Sequence, residues 1–451
     1  MKKTDVLIIG GSASGIATAL TGKSNYPDKD FLIIRKEKEV LVPCGIPYMF
    51  GSLKSSDHNV IPDGKVENEG VKILIGEVVF IDPNNKVCKT STGEEIAFDR
   101  LVFATGSTPT IPGWLKGTEL ENVFTIFKNK VYIDRCIDKL RNAQKIVVIG
   151  GGFIGVEMSD ELNKKGKNVT IVEILPHLLG AVFDSDVAVK AEEVLGSRGV
   201  IIKTNVGIKE ITGEGKVSGV SLQNGEILEA DAVILSMGYK PNAELARKSG
   251  IETTDAGFIK VDEYMRTDIP AIFAVGDCAE KRDFITRKPS RAMLASTACA
   301  EASIVGMNLY KLSTVKTFKG TIAIFCTAIG ESAFGAAGIT EGAAKEEGFE
   351  IITASFEGMD KHPGKLLGMQ VQIVKLVVAK DSGIILGGSV VGGQSTGELV
   401  NIIGFAIQNR MTVSSVLTAQ IGTHPLLTAP PTEYPLIKAA AIAVKKISQS
   451  L

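Results

Sequence analysis

Short, almost wholly apolar runs alternate with longer amphipathic stretches through the first half of the chain. Val6-Leu7-Ile8-Ile9, Phe31-Leu32-Ile33-Ile34, Ile146-Val147-Val148-Ile149 and Val169-Thr170-Ile171-Val172 lack an in/out alternation, the pattern of strands buried on both faces. Two of these runs lead into glycine turns, Gly10-Gly11-Ser12-Ala13-Ser14-Gly15 and Gly150-Gly151-Gly152-Phe153-Ile154-Gly155, each opening a helix. The repeat predicts two parallel-sheet units. From about residue 314 the pattern changes to strand-like runs, Gln370 to Ala379 and Gly383 to Gly392. A helix-like segment, Gly397 to Gln408, and a final helix near Pro435 to Ile447 follow.

Glycine permits the tight turn and the close approach of backbone to a pyrophosphate, and the helix that follows offers free N–H groups. Two such turns in strand-turn-helix context point to two dinucleotide sites. In the first, Ser12 replaces the middle glycine, and the strand that follows ends in Arg35-Lys36-Glu37 where an acid usually accepts the ribose hydroxyls. Glu37 takes over that role, or Arg35 meets the nucleotide directly. In the second, Glu173 ends the next strand at the expected distance, and no arginine follows it. An acid there accepts a 2′-hydroxyl and repels a 2′-phosphate, which favours NADH over NADPH.

Composition narrows the partners. The 451 residues carry 50 basic and 51 acidic side chains, a formal charge of -1, so no large field invites nucleic acid or an anionic membrane. The length suits two or three domains. Six cysteines without pairwise spacing do not form a secreted disulfide framework, which fits a reducing cytoplasm. Met1 to Gly10 has too short an apolar run for a signal peptide and reads as a first strand. No apolar stretch approaches the roughly 20 residues of a membrane span. No metal site is expected.

Further segments carry a resemblance. Leu101 to Gly106 resembles the crossing between the nucleotide domains, Asp231 to Asn242 the exit from the inserted one, and Thr267 to Asp277 the second FAD motif, with Asp277 on the ribityl chain, of the FAD-dependent pyridine nucleotide–disulfide oxidoreductases, which the chain resembles nearly end to end. The resemblance implies an α/β fold with two Rossmann-like nucleotide-binding domains and a C-terminal α+β dimerisation domain. It implies an FAD domain over 1–112 and 246–313, an NAD domain over 113–245, and dimerisation over 314–451. The implied FAD contacts are Gly10, Ser12, Ala13, Ser14, Gly15, Arg35, Lys36, Glu37, Val78, Ala104, Thr105, Gly106, Gly276, Asp277, Ser296 and Thr297. For NAD they are Gly150, Gly152, Phe153, Ile154, Gly155, Glu173 and Gly238, with Glu157 near nicotinamide and flavin. A homodimer is implied, each site completed by the partner chain.

Cys44 has no cysteine at CxxC or CxxxxC spacing, so its redox partner comes from elsewhere. Pro43-Cys44-Gly45-Ile46-Pro47 suits a helix start, where a thiol pKa falls. The resemblance places the chain in the single-cysteine branch of coenzyme A-disulfide reductases, NADH oxidases and peroxidases, and persulfide or polysulfide reductases. It implies that NADH, through FAD, reduces a mixed disulfide or a sulfenic acid on Cys44, with coenzyme A disulfide the favoured substrate and oxygen, peroxide and persulfide the alternatives. The absence of a rhodanese-like stretch weighs against a dedicated persulfide reductase. Where related coenzyme A enzymes carry tyrosines, this chain has histidines. His424-Pro425 is similar to the His-Pro of the glutathione and dihydrolipoamide enzymes, which makes His424 a candidate proton donor and Glu433 the acid to orient it. His362 and Tyr434 are the alternatives. Cys278 and Cys326 read as buried hydrophobes, Cys299 as a helix residue that could face the flavin, and Lys23 as the one early-helix cation that could meet a coenzyme A phosphate. Two remaining readings are a partner-protein reductase with a structural Cys44 and a flavin-binding protein without turnover.

Overall fold

The computed structural model describes residues 1–312, 317–363 and 365–450. The expected boundary between 313 and 314 and the last residue, Leu451, lie outside the described residues. The apolar runs become the centres of two parallel sheets. In the first, strands Lys72–Ile75, Phe31–Arg35, Lys2–Ile9 and Glu95–Phe103 run parallel, and Ile272–Ala274, from much later in the chain, adds alongside Glu95–Phe103. The antiparallel strands Val87–Thr90 and Val78–Asp82 extend the same sheet. Helices Ala13–Asn25 and Ala295–Asn308 pack together on it, again joining distant parts of the sequence. Val6, Leu7, Ile8, Phe31, Ile33 and Phe103 are fully inaccessible, as expected of strands covered on both faces.

The second sheet holds Val123–Thr125, Ala232–Leu235, Lys145–Ile149, Asn168–Val172 and Ile201–Lys203, all parallel, with an antiparallel meander, Ile208–Glu214 to Ile227–Glu229, beside it. The chain passes between the two sheets twice, and the passages are stitched to each other: Ser107–Pro109 pairs with Tyr239–Pro241, while Asn242 and Thr105 exchange side-chain bonds. The C-terminal unit is a five-stranded antiparallel sheet in the order Phe325–Ile329, Ser332–Gly338, Ile385–Gly392, Val371–Ala379, Ile351–Met359. Helices Thr396–Gln408 and Pro435–Ser450 cover it around a core of Val374, Leu376, Val390, Val400, Ile403 and Ala440. Among the described residues no helix is long and apolar enough to cross a membrane.

Candidate active site

The two glycine turns fold to the same pattern. Gly10 has φ +112° and donates its N–H to the Ile34 carbonyl; Gly150 has φ +106° and donates to Val172. A Cβ on Gly10 would collide with the Ala104 carbonyl, and one on Gly150 with that of Ser236, while a Cβ on Gly15 or Gly155 would strike the carbonyl of the first glycine of its own turn. Only glycine meets these conditions without strain. The helices that follow, Ala13–Asn25 after Ser12 and Phe153–Lys164 after Gly152, start without a side-chain cap, so their first N–H groups are free for an anion. A Cβ at Gly152 would meet open space, the form of a cradle for a nucleotide phosphate. Glu173 stands at the second turn, accepting from Gly151 N at 2.6 Å and Leu175 N at 2.8 Å. These residues fit FAD at the first turn and a pyridine nucleotide at the second.

Arg35 has a different task from the expected contact with nucleotide. Its guanidinium is buried and bidentate to Asp63 at 2.7 and 2.6 Å, with further bonds to the Glu37 and Lys38 carbonyls. Its stem lies against Gly11, so it shapes the floor of the turn and offers little free charge. Lys36 is paired with Glu77, while Lys23 donates to the Pro27 and Lys29 carbonyls, which fix its position at the end of the helix. Val78 is buried at the start of its strand, Gly106 and Gly238 have positive φ in the two passages, and Ser296 and Thr297 form the first turn of helix Ala295–Asn308. Asp277 accepts from Ser107 Oγ at 2.7 Å and Lys128 Nζ at 2.9 Å. Burial pushes its carboxyl upward, but Lys128 and Ser107 outweigh burial and hold it below the usual range. Lys128 carried no sequence signal, because its partner lies 149 residues away.

Cys44 does not start a true helix. Pro47 has no N–H to donate to the Pro43 carbonyl, and Ile46 N takes that acceptor at 3.3 Å, so the segment breaks into two 3₁₀ turns, Pro43–Gly45 and Pro47–Phe50. Asn59 holds the first turn through the Val42 carbonyl, and a Cβ on Gly45 would run into the Asn59 amide. At the far end Ser52 donates to Glu161 from its N–H at 2.5 Å and its hydroxyl at 2.9 Å. Glu161 lies on helix Phe153–Lys164, which therefore anchors the Cys44 segment to the second nucleotide unit. Cys44 is an exposed free thiol. Although accessible, it stands among walls that desolvate a thiolate; with the charge of Glu157 they push its pKa up, and Lys128 opposes them. The protein's own groups thus reverse the lowering expected from a helix start.

Glu157 is the most perturbed acid beside Cys44. Burial raises its carboxyl to about 7, with Glu161 adding to the rise and a bond from Thr327 Oγ1 at 2.8 Å opposing it. Edge strand Phe325–Ile329 runs along the helix: Phe325 stacks on Phe153, Thr327 meets Glu157, and Gly330 N reaches Asp160. Cys326 lies between the two inward residues and is exposed, not the buried hydrophobe expected. An apolar run on an edge strand leaves every second side chain uncovered. Cys278 is buried as read, and Cys299 is half-buried on its helix. The proton-donor candidates lie apart, on loops of the C-terminal unit. His362 N donates to the Pro425 carbonyl and its ring meets the Thr428 carbonyl at 3.0 Å, whereas His424 is exposed and its Nδ1 accepts from Leu426 N at 3.3 Å. Glu433 pairs with Lys438 rather than His424, and Tyr434 packs beside the C-terminal core. No hydrogen bond or ion pair among the described residues joins this group to Cys44 within one chain. Among those residues no acid, histidine or cysteine cluster suits a metal.

A family model described as pyridine nucleotide-disulphide oxidoreductase matches residues 4–302, and the model of that family's dimerisation domain matches 324–434. An NADH oxidase of Methanocaldococcus jannaschii is 31% identical over 98% of this chain and 99% of its own. An NAD(P)H coenzyme A polysulfide/persulfide reductase of Pyrococcus horikoshii is 31% identical over 86% of this chain and 88% of its own. Among solved structures, a NAD-dependent persulfide reductase from A. fulgidus superposes with a TM-score of 0.91 at 28% identity, covering 99% of this chain and 84% of that one.

Proposed function

The chain belongs to the pyridine nucleotide-disulphide oxidoreductase family, and from that membership we propose that it uses NADH to reduce a small sulfur–sulfur substrate at Cys44. It is an NAD(P)H-dependent flavoprotein oxidoreductase of the group that holds NADH oxidases and coenzyme A-dependent persulfide reductases. The observation that carries the reading is an accessible thiol, Cys44, with no cysteine partner in its own turn, beside a carboxyl that titrates near neutrality. When bound, FAD supplies the two-electron carrier between nicotinamide and sulfur. The first glycine turn would hold its pyrophosphate, and Asp277, steadied by Lys128 and Ser107, would hold its ribityl chain. The second turn would hold NADH, with Glu173 accepting from the ribose hydroxyl and disfavouring NADPH.

Cys44 thiolate attacks one sulfur of the substrate; that sulfur–sulfur bond breaks, a mixed disulfide forms, and one thiolate leaves. Two electrons that originate on NADH cleave the mixed disulfide, returning Cys44 to thiolate and releasing the second thiol. Each departing thiolate takes a proton, for which His424, His362 and Tyr434 of a second copy of the chain are the candidates. Ile402, Phe405, Leu426 and Leu427, exposed on the C-terminal unit, are consistent with a face that a second copy covers. Glu157 exchanges a proton near pH 7 and sets the charge that Cys44 feels. Coenzyme A disulfide and coenzyme A-linked persulfides are the leading substrates, in line with the mention of coenzyme A in the name of the Pyrococcus horikoshii relative.

A second reading, an oxidase passing through a Cys44 sulfenic acid, draws on the name of the Methanocaldococcus relative. Steady-state NADH consumption with coenzyme A disulfide, polysulfide, peroxide and oxygen separates the two. Sulfur substrates are expected to give the higher kcat/KM; turnover with oxygen alone would overturn the sulfur reading.

A further inference from the structure

Lys281 and Glu301 have fully inaccessible side chains and stand 3.5 Å apart. Both converge on one residue. Glu301 Oε2 accepts from the Gly276 N–H at 2.7 Å, while Lys281 Nζ donates to the Gly276 carbonyl at 2.5 Å and to the Ala279 carbonyl at 3.0 Å. Gly276 has φ +77°, and a Cβ there would come within 2.7 Å of Ser14 Oγ on the first glycine turn. The peptide units flanking this glycine are thus held on both sides by one ion pair. The next residue is Asp277.

A buried ion pair is a poor way to stabilise a fold, because apolar residues of similar volume usually do as well or better. This one is not even saturated, since Glu301 Oε1 has no hydrogen-bond partner. What it does supply is direction. With both backbone groups of Gly276 fixed, the chain leaves the turn at a set angle, and the Asp277 carboxylate meets Lys128 and Ser107.

We propose that Lys281 and Glu301 are positioning residues for the flavin, a clamp on Gly276 that aims Asp277 into the FAD site. The proposal rests on the reading that this chain binds FAD. The test is the FAD dissociation constant of the deflavinated full-length chain, from quenching of flavin fluorescence, in a cycle with Asp277→Asn. The double variant Lys281→Met/Glu301→Leu removes the pair while refilling its volume, and circular dichroism and gel filtration identify the folded protein on which the constant is measured. It is expected to weaken FAD binding about tenfold or more. In the Asp277→Asn background the same change should cost less than about threefold, because the clamp has lost what it aims. Glu301→Gln, which keeps an acceptor for the Gly276 N–H, should retain most of the affinity.

A folded double variant that binds FAD like the wild type overturns the clamp, as do losses that simply multiply with that of Asp277→Asn. A wild-type chain that takes up no FAD overturns the functional reading and the clamp together.

Discussion

Replacing Glu157 by glutamine removes a titrating carboxyl from beside Cys44 at almost constant volume. Burial raises this carboxyl from 4.5 to about 7, about 3 kcal/mol of preference for the neutral form. Because the folded-state pKa is raised, the penalty is absent below about 4.5, grows as pH rises, and is complete above about 7. At pH 5.5 about 3% of Glu157 is ionised and at pH 8.5 about 97%, if it titrates as a single site. Its charge opposes ionisation of Cys44 only at the higher pH. The assay is iodoacetamide alkylation of Cys44, followed by peptide mass mapping after reduction and desalting, since the thiolate is the reacting form. The ratio of the Glu157→Gln rate to the wild-type rate should be near one at pH 5.5 and rise through about pH 7 to several-fold at pH 8.5. A ratio flat across this range, or slower alkylation of the variant at pH 8.5, would refute the electrostatic account.

Related perturbations have their own expected outcomes. Thr327→Val removes the bond that favours the charged form of Glu157, so the midpoint of the same alkylation ratio should move above 7. Lys128→Met removes the cation shared by Asp277 and Cys44; alkylation of Cys44 at pH 8 should slow and FAD should bind several-fold more weakly, measured by mapping and by flavin fluorescence. Gly10→Ala and Gly150→Ala each place a Cβ against a carbonyl at positive φ. The first should lose most of its FAD on gel filtration, whereas the second should keep FAD and raise the KM for NADH about tenfold or more.

The two glycine turns were legible because the constraint that makes glycine necessary, a positive φ against a neighbouring carbonyl, acts on positions fixed by short-range spacing. Glu157 entered only through the family resemblance, because nothing in its local sequence shows the burial that raises its carboxyl. What the sequence hid depends on long-range partners. Arg35 reads as a nucleotide contact until Asp63, 28 residues on, is seen to hold it. Lys128, Lys281 and Glu301 look like ordinary surface charges until folding brings them to the Gly276-Asp277 turn. Cys326 misled by its apolar surroundings, because a sequence does not show that Phe325–Ile329 is an edge strand. Pro43 and Pro47 suggested one helix start, yet the missing N–H of the second proline divides the segment into two turns.

The proposed function requires that electrons from NADH reach a sulfur substrate through Cys44. Its most direct test compares wild type and Cys44→Ser for NADH oxidation driven by coenzyme A disulfide or polysulfide, with FAD content and bleaching of the flavin by NADH as controls. The variant should hold FAD and be bleached by NADH while sulfur-dependent turnover falls by about three orders of magnitude, the scale of losing an essential nucleophile. Sulfur-dependent turnover that survives intact in Cys44→Ser would contradict the account.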